Sequence, residues 1–124
     1  MKDVQKMYIL CLDLGTSGPK AAVLNGDGSV IASEFFQTKL LVGPAGKAEQ
    51  NPAEWKEKSF LALKASLKKS GISGAQISGI CCTSQWSGLV ALDHDCNPLQ
   101  NAIIWLDTRG RSATRNLILQ QQHE

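Results

Sequence analysis

The first third of the chain alternates short apolar runs with polar turns that contain glycine. Runs of this length, rich in strand-forming residues and bounded by Gly, Asn and Asp, are typical of strands joined by tight turns. They predict three antiparallel strands in a meander, at about residues 8–13, 18–24 and 29–38. The Asn-Gly-Asp-Gly sequence at residues 25–28 is a strong hairpin signal between the second strand and the third.

Residues 39–50 are predicted to form a loop, and a helical repeat follows it. Asn51, Pro52 and Glu54 hold the cap, first and third positions of a helix, where these residue types are favoured. Because Gly71 supplies a stop, we predict a helix from Pro52 to the residue before that glycine. Its lysines lie mostly on the solvent face, and the predicted core face carries Trp55, Ser59, Phe60, Leu63, Ser66 and Leu67.

The second half of the chain predicts three further strands and a second helix. The apolar run at residues 77–83 predicts a buried strand, and shorter runs predict strands at residues 89–92 and 102–105. A hairpin turn is predicted at residues 93–98 and a final helix at about residues 112–122. The order β-β-β-α-β-β-β-α predicts an α/β fold with a mixed sheet and helices on its faces.

Composition and charge exclude several classes of function. The chain has 124 residues, which suits one domain, and its net charge of +2 is too small to indicate nucleic acid or an anionic membrane as a partner. No apolar run approaches the ~20 residues that span a bilayer, and no secretory signal is visible. The cysteines have no zinc-like spacing, so we expect reduced thiols and a cytosolic location, with Cys11, Cys81 and Cys82 as small hydrophobes in strands.

The turn between the first two predicted strands concentrates groups that suit a phosphate chain. Gly15 and Gly18 let the backbone turn sharply and approach a ligand closely, and successive N–H groups in such a turn can bind an anion. The same residue types also make an ordinary hairpin, and the turn is not a Walker loop. Its other polar residues offer two hydroxyl donors, an ammonium group and a carboxylate for a hydrated divalent cation: Thr16, Ser17, Lys20 and Asp13.

The pattern Asp-x-Gly-Thr-Ser-x-x-Lys in this turn resembles the first phosphate loop of the sugar-kinase, heat-shock-chaperone and actin superfamily. More narrowly, it is similar to the opening of the FGGY carbohydrate kinases. Three later motifs occur at family-like spacing: residues 48–52 with Trp55, residues 84–88 and residues 105–109. The resemblance implies a ribonuclease-H-like lobe with a mixed sheet and flanking helices. Residues 1–124 would then be part of the N-terminal kinase domain, with the remainder of that lobe and the second lobe absent.

For the motif at residues 84–88, the resemblance and the position after a predicted strand both indicate an acceptor site. Trp86 could lie against the carbons of a sugar while Gln85 and Ser87 hydrogen-bond its hydroxyls. A packed aromatic side chain beside a turn is the alternative. Xylulokinases usually carry Gln-Met-His-Gly at this place, so Trp86 and Ser87 depart from the pattern of that subgroup.

The W-x-D-x-R motif of the family contains an aspartate that binds substrate hydroxyls, which implies this role for Asp107. Capping of the following helix is the alternative. Arg109 either binds substrate or orients Asp107, and Trp105 either lines the substrate site or packs in the core. Glu49 is expected to be structural, ordering its loop.

The resemblance implies an ATP-dependent kinase that transfers the γ-phosphoryl group to a hydroxyl of a sugar or polyol, with Mg²⁺ as its metal. A xylulose-like ketose is the first expectation for the acceptor, with glycerol, ribulose and gluconate as alternatives. The full-length protein would be cytoplasmic, with a homodimer as one option for its assembly. The family's catalytic base lies beyond residue 124, so these residues alone are expected to be inactive. A non-catalytic actin-like nucleotide-binding module and a plain structural fragment stay open as alternatives.

Overall fold

The computed structural model describes residues 7–115, which form two compact units. The first unit comprises residues 7–39 and Pro52–Gln85, and the second comprises Leu40–Asn51 and residues 86–115. Each unit is therefore built from two separate stretches of the chain. In chain order, the regular elements are β1 (Tyr8–Gly15), β2 (Gly18–Asn25), β3 (Val30–Phe35), β4 (Leu41–Gly43), β5 (Lys47–Gln50), α1 (Pro52–Ser70), β6 (Ile77–Ser84) and β7 (Ala102–Ile103).

The first unit contains a four-stranded sheet in the order β3-β2-β1-β6. Strands β1, β2 and β3 form the predicted antiparallel meander, and β6 pairs with β1 in parallel. The mixed sheet and the α/β class are therefore confirmed. The parallel pair places the carboxyl ends of β1 and β6 side by side, next to the β1–β2 turn.

Helix α1 has the predicted bounds and packs mainly on β2 and β3. The prediction that Phe60 faces the core is wrong, because its side chain is 54% exposed. Five helical residues turn through about 500°, so Phe60 lies about 140° around the helix from Trp55. The residues that the helix does bury are Trp55, Ala62 and Ser66.

Strand β6 is exposed, although its apolar sequence predicts burial. Its outer edge has no strand partner within residues 7–115, and Ile80 is 67% exposed. Cys81 and Cys82 are exposed as well, so the prediction that they act as buried hydrophobes is wrong, while Cys11 is half-buried. The physical reason is that α1 covers the meander, and within the described chain no element covers β6.

The second unit contains a three-stranded antiparallel sheet in the order β4-β5-β7. Its β4–β5 hairpin occupies residues for which the sequence predicts a loop, and that prediction is wrong. The two strands are short, and the turn between them places Ala45 in the left-handed region at a φ of 58°. Gly46 follows with a φ of +85°, and a Cβ atom there would lie 1.9 Å from the Thr108 hydroxyl oxygen. The hairpin therefore depends on glycine at this position.

The later strands of the second unit are shorter than predicted. Residues 89–92 form two isolated bridges instead of a strand, and β7 ends at Ile103. The predicted turn at residues 93–98 is confirmed by the Asp93 N–H, which donates to the Asn97 carbonyl at 2.9 Å. The pairing continues past the turn, because Leu92 bridges Pro98 and the Leu99 N–H donates to the Ala91 carbonyl at 2.9 Å, an arrangement in which the N–H that proline lacks would face away from the partner segment.

Residues 111–115 are helical, which agrees with the beginning of the predicted final helix. The remainder of that prediction lies outside the described residues. None of the helices in the described part of the chain combines the length and the apolarity that crossing a membrane requires.

Candidate functional site

The β1–β2 turn consists of Thr16 and Ser17 between a paired Gly15 and Gly18. Gly18 has a φ of +138°, and a Cβ atom there would lie 2.1 Å from the Phe36 carbonyl oxygen, so the chain's own packing requires this glycine. A Cβ atom on Gly15 would meet only ordinary contacts, the nearest being the Gly18 carbonyl oxygen at 3.5 Å. The packing of the chain therefore does not require a glycine at position 15. A glycine there agrees with the predicted close approach of a ligand to the backbone.

A hydrogen bond joins this turn to the end of β6. The Thr16 hydroxyl donates to Gln85 Oε1 at 3.2 Å, and the Gln85 backbone N–H donates to the Leu14 carbonyl at 2.9 Å. Because β1 and β6 are parallel, both contacts lie at the carboxyl ends of neighbouring strands, where ligand sites of open α/β sheets gather. The structure thus brings together a residue predicted to bind phosphate and a residue predicted to bind the acceptor.

Asp13 and Lys20 are paired across β1 and β2, and both are exposed. Together with Thr83 they form the polar part of the lining of a depression of about 260 Å³, and the rest of the lining is apolar: Cys11, Leu12, Ala21, Ala22 and Cys81. Residues 7–115 contain no group of three or more His, Cys, Asp or Glu side chains that could hold a metal ion. Mg²⁺ needs only one or two carboxylates when substrate phosphates and waters complete its shell. The lone carboxylate of Asp13 therefore fits a magnesium ion that arrives with a nucleotide.

In the second unit, donors of the chain itself enclose the Asp107 carboxylate. Its Oδ2 accepts from the Ala48 backbone N–H at 2.9 Å, and its Oδ1 accepts from the Arg109 backbone N–H at 3.0 Å. Arg109 Nε lies 3.1 and 2.9 Å from the two oxygens, and Nη2 lies 2.7 Å from Oδ2. Only 4% of the Asp107 side chain is exposed. The contact from Asp107 to the N–H two residues later is an Asx turn, and the following helical residues begin only at Arg111, so Asp107 is not in the cap position.

These contacts stabilise the charged forms of three side chains. The pKa of Asp107 lies well below its usual range, first because the Arg109 side chain donates to it and then because of a backbone N–H. Hydrogen bonding from Lys47 is the main cause that lowers the pKa of Glu49, with smaller contributions from Asn101 and Arg109. The pKa of Arg109 is raised by Asp107 and Glu49, in that order. All three groups are therefore ionised at neutral pH.

The lowered pKa of Asp107 predicts a loss of stability in acid. A carboxyl group whose pKa is lower in the folded state stabilises that state above its ordinary pKa of 3.8, and the contribution is lost as the pH falls toward the folded-state value. We expect the free energy of unfolding, measured with urea at about pH 7, 5 and 3, to fall less steeply toward acid in Asp107→Asn than in the wild-type chain. The same pH dependence in both chains would contradict this prediction.

Trp86 and Trp105 carry exposed aromatic surface, with 74% and 46% of each residue accessible. The bridge between Leu89 and Ile103 is antiparallel, so the segments that carry the two tryptophans leave this bridge at the same end. Ser87 has a φ of 52°, a left-handed conformation that is uncommon for serine. The exposure agrees with the predicted role of the two aromatic side chains at an acceptor, and it disagrees with core packing of Trp105.

The contacts of Glu49 agree with the structural or loop-ordering role expected from the sequence, and they extend beyond its own segment. Its carboxylate lies 2.7 Å from Arg109 Nη2 and 3.1 Å from Lys47 Nζ, and it accepts from Asn101 Nδ2 at 3.2 Å. Lys47 and Glu49 are two residues apart on β5, as same-face neighbours of a strand are. The two-residue spacing of Lys47 and Glu49 could have indicated their ion pair from the sequence. It does so only if residues 47–50 are known to form a strand, and the sequence predicts a loop there.

Comparisons with known proteins agree with the fold and the motifs. A model of the N-terminal domain of the FGGY family of carbohydrate kinases matches residues 8–124. The xylulose kinase of Bacillus subtilis (strain 168) is 39% identical over 102 residues, which cover 82% of this chain and 20% of that protein. The glycerol kinase of Thermococcus gammatolerans is 31% identical over 98 residues, which cover 79% of this chain and 20% of that protein.

A solved structure shows the same likeness. The crystal structure of ligand-bound xylulose kinase from Lactobacillus acidophilus matches with a TM-score of 0.83 and 26% identity, over 92% of this chain and 23% of that one. The expected sugar-kinase fold is therefore confirmed. The chain spans about a fifth of the length of the curated relatives it matches. On the family match and on these relatives, the chain belongs to the FGGY family of carbohydrate kinases.

Proposed function

We propose that the protein containing this chain is an ATP-dependent kinase that transfers the γ-phosphoryl group to a hydroxyl of a small sugar or polyol. The observation that carries the proposal is the hydrogen bond between Thr16 and Gln85, because it links the predicted phosphate turn to the predicted acceptor motif. The names of the relatives, xylulose kinase and glycerol kinase, support the same reaction class. Such an enzyme would work in the cytoplasm, where ATP is available.

In this proposal the β1–β2 turn binds the phosphates of ATP. Backbone N–H groups and the hydroxyls of Thr16 and Ser17 would donate hydrogen bonds to phosphate oxygens, and Lys20 would balance their charge. Asp13 would hold Mg²⁺ through its water shell, and that ion neutralises charge on the phosphates. Enzymatic phosphoryl transfer depends mostly on positioning and electrostatic stabilisation, which is what a rigid turn of oriented donors can supply.

The acceptor would meet a different set of side chains. Trp86 and Trp105 offer apolar faces for the carbons of a sugar, while Gln85 and Ser87 offer hydrogen bonds to its hydroxyls. A xylulose-like ketose is the first candidate, because xylulose kinases are among the relatives with the highest identity. Glycerol, ribulose and gluconate are the alternatives, since Trp86 and Ser87 depart from the usual xylulokinase motif.

We expect the whole protein to form ADP from ATP only when a suitable acceptor is present, and the 124-residue chain alone to form none above background. The reason is that the family resemblance implies a catalytic base beyond residue 124. A coupled assay of ADP formation with xylulose, ribulose, glycerol and gluconate tests both statements. ATP turnover by the whole protein that ignores every acceptor would favour a nucleotide-binding module instead. Acceptor-dependent turnover by the short chain at the rate of the whole protein would contradict the placement of the base.

A further inference from the structure

The Asp107 carboxylate has little capacity left for a ligand. Each of its oxygens already accepts at least two hydrogen bonds from the Ala48 N–H and from Arg109, and its side chain is 4% exposed. A carboxylate has about four acceptor positions, so these donors use nearly all of them. Direct binding of acceptor hydroxyls by Asp107 would require breaking contacts that the chain itself makes.

Two edges of the Arg109 guanidinium contact carboxylates, and the third edge has no hydrogen-bond partner among residues 7–115. Its Nε faces Asp107, and its Nη2 lies 2.7 Å from both Asp107 Oδ2 and Glu49 Oε1. The remaining nitrogen, Nη1, forms no hydrogen bond with residues 7–115, and 37% of the side chain is exposed. A guanidinium is planar and donates five N–H bonds in fixed directions. Two carboxylates on adjacent edges therefore fix its plane and leave two N–H groups available.

Glu49 is itself rigidly placed. It lies on β5 between β4 and β7, in register with Leu41 and Ile103, and its side chain is 12% exposed. Asn101 and Lys47 hold its Oε2, which leaves Oε1 for Arg109. Glu49 thus connects the second sheet to the guanidinium at a point 60 positions later in the chain.

We propose that Glu49 is a positioning residue: together with Asp107 it fixes the guanidinium of Arg109, whose Nη1 edge contacts an oxygen atom of the acceptor. The proposal rests on the proposed kinase function and deepens it. It assigns the contact with the acceptor to Arg109, and it assigns to Asp107 and Glu49 the orientation of that contact. Because the Nη1 edge only donates, the acceptor oxygen would be that of a hydroxyl, a carbonyl or a carboxylate.

The first test is kinetic and uses the whole kinase. We expect Glu49→Gln to raise KM for the acceptor by about tenfold, with kcat and KM for ATP within about twofold, because a neutral amide no longer holds the guanidinium in place. Glu34→Gln is the matched control, since Glu34 also pairs with a lysine, Lys69 at 2.6 Å, but lies on β3 in the first unit. It should leave all three constants within about twofold. An unchanged acceptor KM in Glu49→Gln would overturn the proposal.

A double-mutant cycle asks whether Glu49 acts through Arg109. Arg109→Lys keeps the charge and removes the planar fork, so Glu49 has nothing left to orient. We expect the effects of Glu49→Gln and Arg109→Lys on acceptor KM to be strongly non-additive. Effects that simply multiply would mean that the two residues act independently, which also overturns the proposal.

The second test needs no kinase activity and uses the 124-residue chain. Exchange of the Arg109 Nε–Hε proton with water, followed by NMR, should be slow in the wild type and in Glu34→Gln, and at least about tenfold faster in Glu49→Gln. If Glu49→Gln does not fold, Asn101→Ala removes a donor to Glu49 and should accelerate the same exchange to a smaller extent. Fast exchange in the wild type would overturn the positioning role. Slow exchange together with no acceptor-dependent turnover by the whole protein would refute the kinase function alone.

Discussion

Replacing Asp13 by Asn in the whole kinase is expected to lower kcat by about 100-fold or more. Asp13 is the carboxylate of the depression that Lys20 and Thr83 also line. Asn keeps the size of the side chain but removes the charge that would hold Mg²⁺ beside the phosphates. Because this charge acts on the transferring group, KM for the acceptor should change by less than about threefold. Steady-state kinetics at several Mg²⁺ concentrations measure both constants.

Asp27→Asn is the matched control for this experiment. Asp27 lies in the β2–β3 turn, at the opposite end of β2 from the β1–β2 turn, and its Oδ1 accepts from the Ser29 N–H at 2.9 Å. It is another carboxylate of the first unit, but it has no part in the proposed nucleotide site. We expect activity within about twofold of the wild type. A wild-type kcat in Asp13→Asn would remove Asp13 from the metal site.

Gly18→Ala is expected to lower the free energy of unfolding of the 124-residue chain by about 3 kcal/mol or more. The alanine Cβ atom would lie 2.1 Å from the Phe36 carbonyl oxygen and 2.9 Å from the Thr38 nitrogen, at a φ of +138° that alanine rarely adopts. All of these neighbours are backbone atoms, so relief requires the β1–β2 turn to move away from the segment after β3. Urea unfolding followed by circular dichroism measures the loss.

Gly15→Ala should weaken the binding of ATP without lowering the stability of the fold. Its Cβ atom would meet ordinary contacts only, so the free energy of unfolding should change by less than about 1 kcal/mol. In the whole kinase we expect KM for ATP to rise by about tenfold, because the methyl group occupies space that the phosphates approach. Wild-type affinity for ATP in Gly15→Ala would show that this glycine serves only the turn.

The meander and α1 could be predicted because their signals are local. The hairpin at residues 25–28 depends on residues that are neighbours in sequence, and so does the start of α1 at Pro52. The exposure of β6 could not be predicted in this way. The apolar sequence of β6 shows that this strand can be buried. Whether it is buried depends on which other elements cover it.

The candidate site divides along the same line. The β1–β2 turn could be predicted from the sequence, because Gly15, Thr16 and Ser17 belong to one short segment, and its phosphate-binding role stays an expectation that the family resemblance implies. The contact between Glu49 and Arg109 could not, since it joins residues 60 positions apart and depends on the β4–β5 hairpin. The roles of the individual site residues stay predictions until the variants are measured.

The pairing of β1 has a consequence for synthesis of the protein on the ribosome. One edge of β1 pairs with β2, which follows it directly in the chain. The other edge pairs with β6, where Cys81 lies opposite Cys11 in the strand register, about 70 positions later. A nascent chain that ends before β6 therefore exposes a central strand with unpaired N–H and C=O groups, which is a template for association with other chains. Because β1 and β6 are far apart in the chain, the nascent chain is most exposed to aggregation before β6 emerges from the ribosome.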